Sequence, residues 1–277
     1  GTDIMLEVDP ENEGAFEEAT ANLVLNHDYE ELGSELVTNR DFASDTIWTK
    51  GSGWTIGSGV ATCDGTNSAL LFQSLANTTT NDIFKATYTI SNYVSGSVFV
   101  GFGSGLVQPS GTTRNANGTY TQYLTKTSTS TSFGFKSISF VGSIDNISVE
   151  QVDPNDRWTL SNTTIEDGVL TFTDNSSAAQ YALQDNVVEV GNSYEVTLTV
   201  NRTSGTLSVL FGTGGSSVSG VSSITASGTY TFITTPLTSA QSGNGRFWAG
   251  YTSASDNFIG TVDNVTVKEY AITPLNV

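Results

Sequence analysis

The residues of this chain that could carry out chemistry are few. Its 277 residues contain one histidine, His27, and one cysteine, Cys63. A Ser-His-Asp or Cys-His constellation needs its base within hydrogen-bond reach of the nucleophile, and the lone His27 sits in an acidic N-terminal stretch outside any repeated element. Carboxylates are more plentiful. Asp41, Asp45, Asp64 and Asp145 could supply the acid pair of a glycoside hydrolase, which needs two acids about 5 to 10 Å apart across a cleft. No spacing among them demands that role, and aspartates at turns are ordinary in all-β proteins. The chain is expected not to be an enzyme.

Two other chemistries remain open. Asp145 and Asp263 recur in register beside Asn146 and Asn264, and hard oxygen ligands of this kind suit Ca²⁺; the competing reading is that Asp-Asn caps a bend and bonds neighbouring backbone. Aromatic side chains can stack on the apolar face of a pyranose while amides and carboxylates fix its hydroxyls. Trp54 and Trp158 occupy matching places in the repeat described next and read as packing residues. Trp48 and Trp248 have no matched counterpart and, with Tyr93 and Tyr251, are the ligand-binding candidates.

The elements that must position these residues are strands. Thr, Ser, Gly, Val and aromatic residues are abundant and strong helix formers sparse, which suits pleated, half-buried surfaces. An internal repeat is written clearly. Phe140-Val-Gly-Ser-Ile-Asp-Asn-Ile-Ser-Val149 matches Phe258-Ile-Gly-Thr-Val-Asp-Asn-Val-Thr-Val267, and Ala116-Asn-Gly-Thr-Tyr-Thr121 matches Ala226-Ser-Gly-Thr-Tyr-Thr231. Phe84 to Phe102 matches Tyr194 to Phe211 with one residue fewer, and each stretch is a hairpin running through Ser-Gly. Further upstream, Phe72-Gln-Ser-Leu75 faces Gln180-Tyr-Ala-Leu183. The predicted fold is all-β: two tandem jelly-roll β-sandwich domains of roughly eight or nine strands each, at 34–152 and 153–270, joined at Asp153-Pro154-Asn155-Asp156 and followed by a tail at 271–277.

Residues 1–33 read as an extended acidic arm with ten acidic residues and no Lys or Arg, and a short helix is expected near Ala15 to Leu25. A charge run is commonly a solvated tail. Ile4, Met5, Leu6 and Val8, however, give it an apolar, strand-like stretch of the kind that docks on a partner, so the arm is a candidate anchor. The net charge of -18 with ten Lys plus Arg argues against nucleic acid and anionic membrane surfaces as partners, since both reward basic patches. No apolar run approaches the ~20 residues that span a bilayer.

Glu35-Leu-Val-Thr-Asn-Arg-Asp-Phe42, then Trp48 and Trp54, the Gly-Val-Ala-Thr-Cys-Asp-Gly stretch at 59–65 and the closing Gly142-Ser-Ile-Asp-Asn146 resemble the galactose-binding-like jelly roll of carbohydrate-binding modules. More narrowly, the tandem arrangement over 34–270 resembles modules in structural proteins of marine tailed bacteriophages, including tail fibres and capsid-decorating fibres. Copy two departs from the pattern, with Asp156-Arg157-Trp158 where the Asn-Arg-Asp-Phe stretch of copy one stands. The resemblance implies a structural Ca²⁺ near Asp41 and Asp145, with no other cofactor. It also implies a non-enzymatic virion structural protein at the particle surface. Such a protein would contact other virion proteins through the arm, form a homo-oligomer and adhere to cell-surface glycans. The alternative is a glycan-binding module pair of a secreted bacterial protein.

Overall fold

The computed structural model describes residues 21–106, 111–173, 178–211, 223–237, 247–251 and 256–270. The chain is all-β, and among the described residues the only helical turn is Ser104–Leu106. The part of the expected helix that is described, residues 21–25, is not helical. Two compact units form. The first module comprises Glu30–Asp156, and the second takes the described residues of 21–29 and of 157–270, with Thr164–Glu166 in its sheet.

The strands of the first module are β1 (Thr49–Lys50), β2 (Trp54–Gly57), β3 (Val60–Asp64), β4 (Leu70–Ser74), β5 (Ile83–Phe102), β6 (Gly118–Thr125) and β7 (Ser132–Val152). Every pairing is antiparallel. Period-2 patterning puts Phe84, Ala86, Tyr88 and Ile90 of β5 in the core, while Lys85, Thr87 and Thr89 face outward. β5 and β7 are long enough to serve both layers of the sandwich. Their Ala86 and Val149 halves pair beside β6, and their Val100 and Phe135 halves pair beside β4. The crossing falls at the register irregularities between Ser91 and Ser97. Gly96 (φ 71) lies there, and a Cβ on it would come within 1.9 Å of the Ser139 carbonyl oxygen, so only glycine fits.

The second module repeats this plan in β8 (Thr159–Ser161), β9 (Thr164–Glu166), β10 (Val169–Phe172), β11 (Gln180–Gln184), β12 (Ser193–Ser204), β13 (Ser208–Phe211), β14 (Gly228–Ile233), β15 (Phe247–Tyr251) and β16 (Ile259–Tyr270). Its layers are β14-β12-β16-β10-β9 and β13-β15-β11-β8. β12 with β13 replaces the single β5, and β15 with β16 replaces β7.

The repeated Asp-Asn dipeptides are β-bulges. On β7, Asn146 and Ile147 together oppose the single Tyr88, because Thr87 pairs with Ser148 and Thr89 with Asp145. On β16, Asn264 and Val265 oppose Leu198 in the same way. Asn146 and Asn264 take φ of 52 and 51, and each backbone N–H is accepted by the preceding Asp Oδ1 at 2.6 Å. The next N–H is released from the ladder. Ile147 donates to the Arg40 carbonyl and Val265 to the His27 carbonyl, both at 3.0 Å. A bulge that frees one donor thus becomes a docking point for a second segment.

That second segment overturns the expected domain boundaries. Asn22-Leu-Val-Leu-Asn-His-Asp-Tyr29 docks on the second module as Glu35-Leu-Val-Thr-Asn-Arg-Asp-Phe42 docks on the first. Leu36 N–H donates to the Val149 carbonyl and Leu23 N–H to the Val267 carbonyl, each at 2.9 Å. Glu35 Oε1 accepts from Val149 N–H at 2.8 Å, and Asn22 Oδ1 accepts from Val267 N–H at 2.9 Å. The Gln73 amide accepts from Thr38 N–H and donates to its carbonyl, as the Gln184 amide does with Leu25. Asn39 and Asn26 take φ of 49 and 46, and their carbonyls accept the indole N–H of Trp48 and Trp158.

The acidic stretch 1–33 is therefore not one free arm. Residues 22–29 belong to the second module, and Leu32 and Gly33 pair with Val152 and Gln151 of the first. Residues 1–20, with Ile4, Met5, Leu6 and Val8, and the tail 271–277 lie outside the described residues. The two copies of the docking segment stand next to each other in sequence rather than one at the head of each module.

Tyr29→Ala tests this organisation, because Tyr29 is 1% exposed and packs on Trp158 at 5.1 Å between ring centroids. Emptying so large a buried site is expected to cost about 3–5 kcal/mol. Hydrogen-exchange mass spectrometry should show protection lost across β8 to β16 and kept across β1 to β7, and the reverse pattern would contradict the assignment.

Candidate functional site

One edge of the first module carries an open groove. β1 is the last strand of its layer and pairs only with β4, through Thr49 opposite Phe72 and Lys50 opposite Leu71. It is only two residues long. The chain then turns at Gly51, whose N–H donates to the Leu70 carbonyl at 2.7 Å. A Cβ at Gly51 would lie 3.0 Å from Leu70 N and O, so a side chain there would push the turn off the floor. The result is a groove of about 440 Å³, within the range that holds small ligands.

One wall is Thr49, Lys50, Gly51 and Ser52, the other is Thr66, Asn67, Ser68 and Ala69, and Leu70 and Phe72 form the floor. Phe72 is half-buried. Asn67, Ser52 and Ser68 are exposed, and among the described residues their side chains make no hydrogen bond within the chain. Their amide and hydroxyls remain available to a ligand.

The loop that carries Asn67 is fixed by Asp64. Its Oδ1 accepts from Thr66 Oγ1 at 2.8 Å and from Thr66 N–H at 2.9 Å. Those bonds, the hydroxyl first, hold the Asp64 carboxyl below its ordinary value. Lys50 Nζ meets both carboxylate oxygens of Asp45 at 2.5 Å. Both acids near the groove are thus engaged, one in a turn and one in an ion pair, and neither is among the residues that line it. The arrangement can hold a ligand that offers an apolar face and several hydroxyls. Lys50 is the one titratable side chain among the residues that line the groove.

The sequence candidates fall elsewhere. Trp48 is 5% exposed, packs on Phe42 at 5.3 Å and donates its indole N–H to Asn39, so it serves packing. It is also the true counterpart of Trp158, and Thr163 takes the place that corresponds to Trp54. The upstream strands shift likewise, with Gln73 matching Gln184 rather than Phe72 matching Gln180. Tyr93 packs on Phe140 and donates its hydroxyl to the Gly96 carbonyl at 3.0 Å. Trp248 and Tyr251 lie on β15, and their side chains lie outside the described structure.

Asp145 and Asp263 bond the bulge backbone, and Asp41 Oδ1 accepts from Ala43 N–H at 3.3 Å. Among the described residues no group of three or more His, Cys, Asp or Glu is placed to hold a metal. These aspartates therefore do not fit a carboxylate-rich calcium site. The groove residues Phe72, Lys50 and Asn67 escaped the sequence reading because a short edge strand followed by glycine leaves no periodic signal.

No protein-family model matches the chain, and no curated protein matches it in sequence. Among solved structures, it is similar to the tandem CBM22 domains of Xyn10C from Paenibacillus barcinonensis. The identity is 12%, over 86% of this chain and 98% of that one, at a TM-score of 0.35. Allantoicase from Saccharomyces cerevisiae is similar at 8% identity over 90% and 93% of the two chains, at a TM-score of 0.30. A triple jelly-roll turret protein of an archaeal virus is 12% identical over 82% of this chain and 59% of that one, at a TM-score of 0.21. None of these likenesses carries an argument about activity.

The sign of the Asp64 effect can be tested. Its carboxyl titrates below the ordinary carboxylate value, so its support of the loop is present at neutral pH and is lost as the pH falls through the lowered folded value. In an acid titration followed by NMR, the Thr66 amide resonance should titrate with a midpoint below the ordinary carboxylate value. In Asp64→Ala the same amide should lose its exchange protection at neutral pH.

Proposed function

We propose that the chain is a non-enzymatic adhesion protein of a virion surface, which binds saccharides in the groove between β1, the 66–69 loop and β4. The observation that carries this reading is the groove itself: a half-buried phenylalanine floor with an unengaged amide and two hydroxyls on its walls, and no acid among its lining residues. Sugars are held in this way, by an aromatic face against the ring and directed polar groups at the hydroxyls. The resemblance of Glu35–Phe42, the 59–65 stretch and Gly142–Asn146 to carbohydrate-binding modules, and of the tandem arrangement to phage structural proteins, supports the same reading. In this proposal residues 1–20 attach the chain to other virion proteins, and copies associate as a homo-oligomer.

Two outcomes are expected. Phe72→Ala should lower glycan-array binding at least tenfold while leaving the circular dichroism spectrum and the melting temperature close to those of the parent; undiminished binding would remove the groove from consideration. Deletion of residues 1–20, which leaves the docking segment intact, should abolish incorporation into particles with both modules still folded. Normal incorporation would remove the anchor.

A further inference from the structure

Lys50 is the only charged residue that lines the groove, and its ammonium is not free. Asp45 holds it through both carboxylate oxygens at 2.5 Å, with the Lys50 side chain 29% and the Asp45 side chain 51% exposed. Asp45 itself is not among the groove residues.

Asp45 is in turn positioned by the docking segment. It lies in the loop between Phe42 and Trp48, and that loop is organised by one side chain. Asn39 Nδ2 donates to the carbonyls of Ser44 and Thr46 at 2.7 and 3.0 Å, and Asn39 Oδ1 accepts from Ser44 N–H at 3.3 Å. The hydroxyls of Ser44 and Thr46, 2.7 Å apart, close the loop around Asp45. The chain of contacts runs from the docking segment through Asn39 to the loop, then to Asp45 and finally to Lys50 at the groove wall.

We propose that Asp45, held by Asn39, is the specificity-determining residue of the groove: by neutralising Lys50 it makes the site select uncharged saccharides and refuse carboxylated ones. The inference rests on the groove being a saccharide site. Its physical basis is a difference of affinities. A lone lysine in the wall would attract a uronate, whereas a paired lysine offers a hydrogen-bond donor with no net charge behind it. The other wall groups are neutral hydroxyls and an amide, with no arginine to fork onto a carboxylate. The field of a molecule carrying a net charge of -18 disfavours acidic ligands further.

The test uses the full chain with two matched probe sets, uncharged oligosaccharides and uronate-containing oligosaccharides of the same length. The parent should bind the uncharged set. Asp45→Asn should leave that binding within about twofold and gain about fivefold for the uronate set, the scale expected of one partly exposed charge pair, and the gain should vanish at high salt. Asn39→Gly keeps the positive φ and the carbonyl that caps Trp48 but removes the clamp; it should show the same gain in weaker form, with unchanged tryptophan fluorescence. Equal profiles for parent and Asp45→Asn, or a parent that prefers uronates, would overturn the assignment of Asp45 while leaving the groove as a saccharide site. Loss of binding to the uncharged set in Phe72→Ala would support the groove reading on which the inference rests. A parent that binds neither set, or whose binding survives Phe72→Ala, would overturn the groove reading and this inference with it.

Discussion

The bond from a bulge N–H to the carbonyl of a docking segment is the contact on which each module depends. A sandwich built from long antiparallel strands must bury the flank of its last strand, and in both modules a bulge leaves one N–H on that flank without a ladder partner. The segment that takes this N–H also seats a buried valine, Val37 or Val24, and a fully buried ring, Phe42 or Tyr29. It orders a tryptophan as well, through the carbonyl of an asparagine at positive φ. A glutamine amide on the opposite side supplies the two hydrogen bonds a neighbouring strand would have supplied. Leaving such backbone groups buried and unpaired costs about 1–3 kcal/mol each. The docking segment is therefore part of the core, although it is the part of each module most remote in sequence.

Polar groups that interact with backbone, rather than charges that interact with each other, do most of this work. The ion pairs Arg40 with Glu35 and Lys50 with Asp45 are both solvent-accessible; pairs of that kind contribute about 0–1 kcal/mol. The modules differ in how they fill their interiors. In the first, Tyr88 is fully buried, desolvation pushes its phenol up to about 12, and Gln122 donates to it at 2.7 Å while also bonding Thr112. In the second, register places Leu198 and Phe232 at the corresponding positions. A neutral phenol with its own donor substitutes for a hydrocarbon without an unpaired polar atom, so one plan tolerates both fillings.

Much of this was legible in the sequence. The Asp-Asn repeat, the Ser-Gly crossings and the Tyr-Thr strands mark the last strand, the layer change and the β6 position of each copy, because backbone devices tie particular residues to particular φ values. The assignment of domain ends failed for a physical reason. Contiguous copies would set Asp156-Arg157-Trp158 against Asn39-Arg-Asp-Phe42, whereas Leu-Val-x-Asn-x-Asp-aromatic occurs twice within residues 22–42. The tryptophan pairing slipped with it, since Trp158 was aligned with Trp54 when its indole serves the role of Trp48. The groove was not legible at all. It arises from a strand that stops after two residues and a glycine that lets the turn approach Leu70, neither of which sets a period.

The nested order also follows from the geometry of the first module's ends. A domain can be inserted into another when its termini emerge side by side, and here they do. Leu32 bridges to Val152, Gly33 donates to Gln151, and Asp153 donates to the Glu31 carbonyl at 2.9 Å. The chain therefore leaves the docking segment of the second module at Tyr29, completes the whole first module, and returns within a few residues of its departure to begin β8. An insertion of this kind leaves the second module's fold unaltered only if its docking segment binds through backbone and amide contacts that need no particular preceding sequence. Those are the contacts observed at Asn22, Leu23, Leu25 and His27. The duplicated motif and the duplicated bulge are thus what permit two copies of one sandwich to share a single chain with one set inside the other.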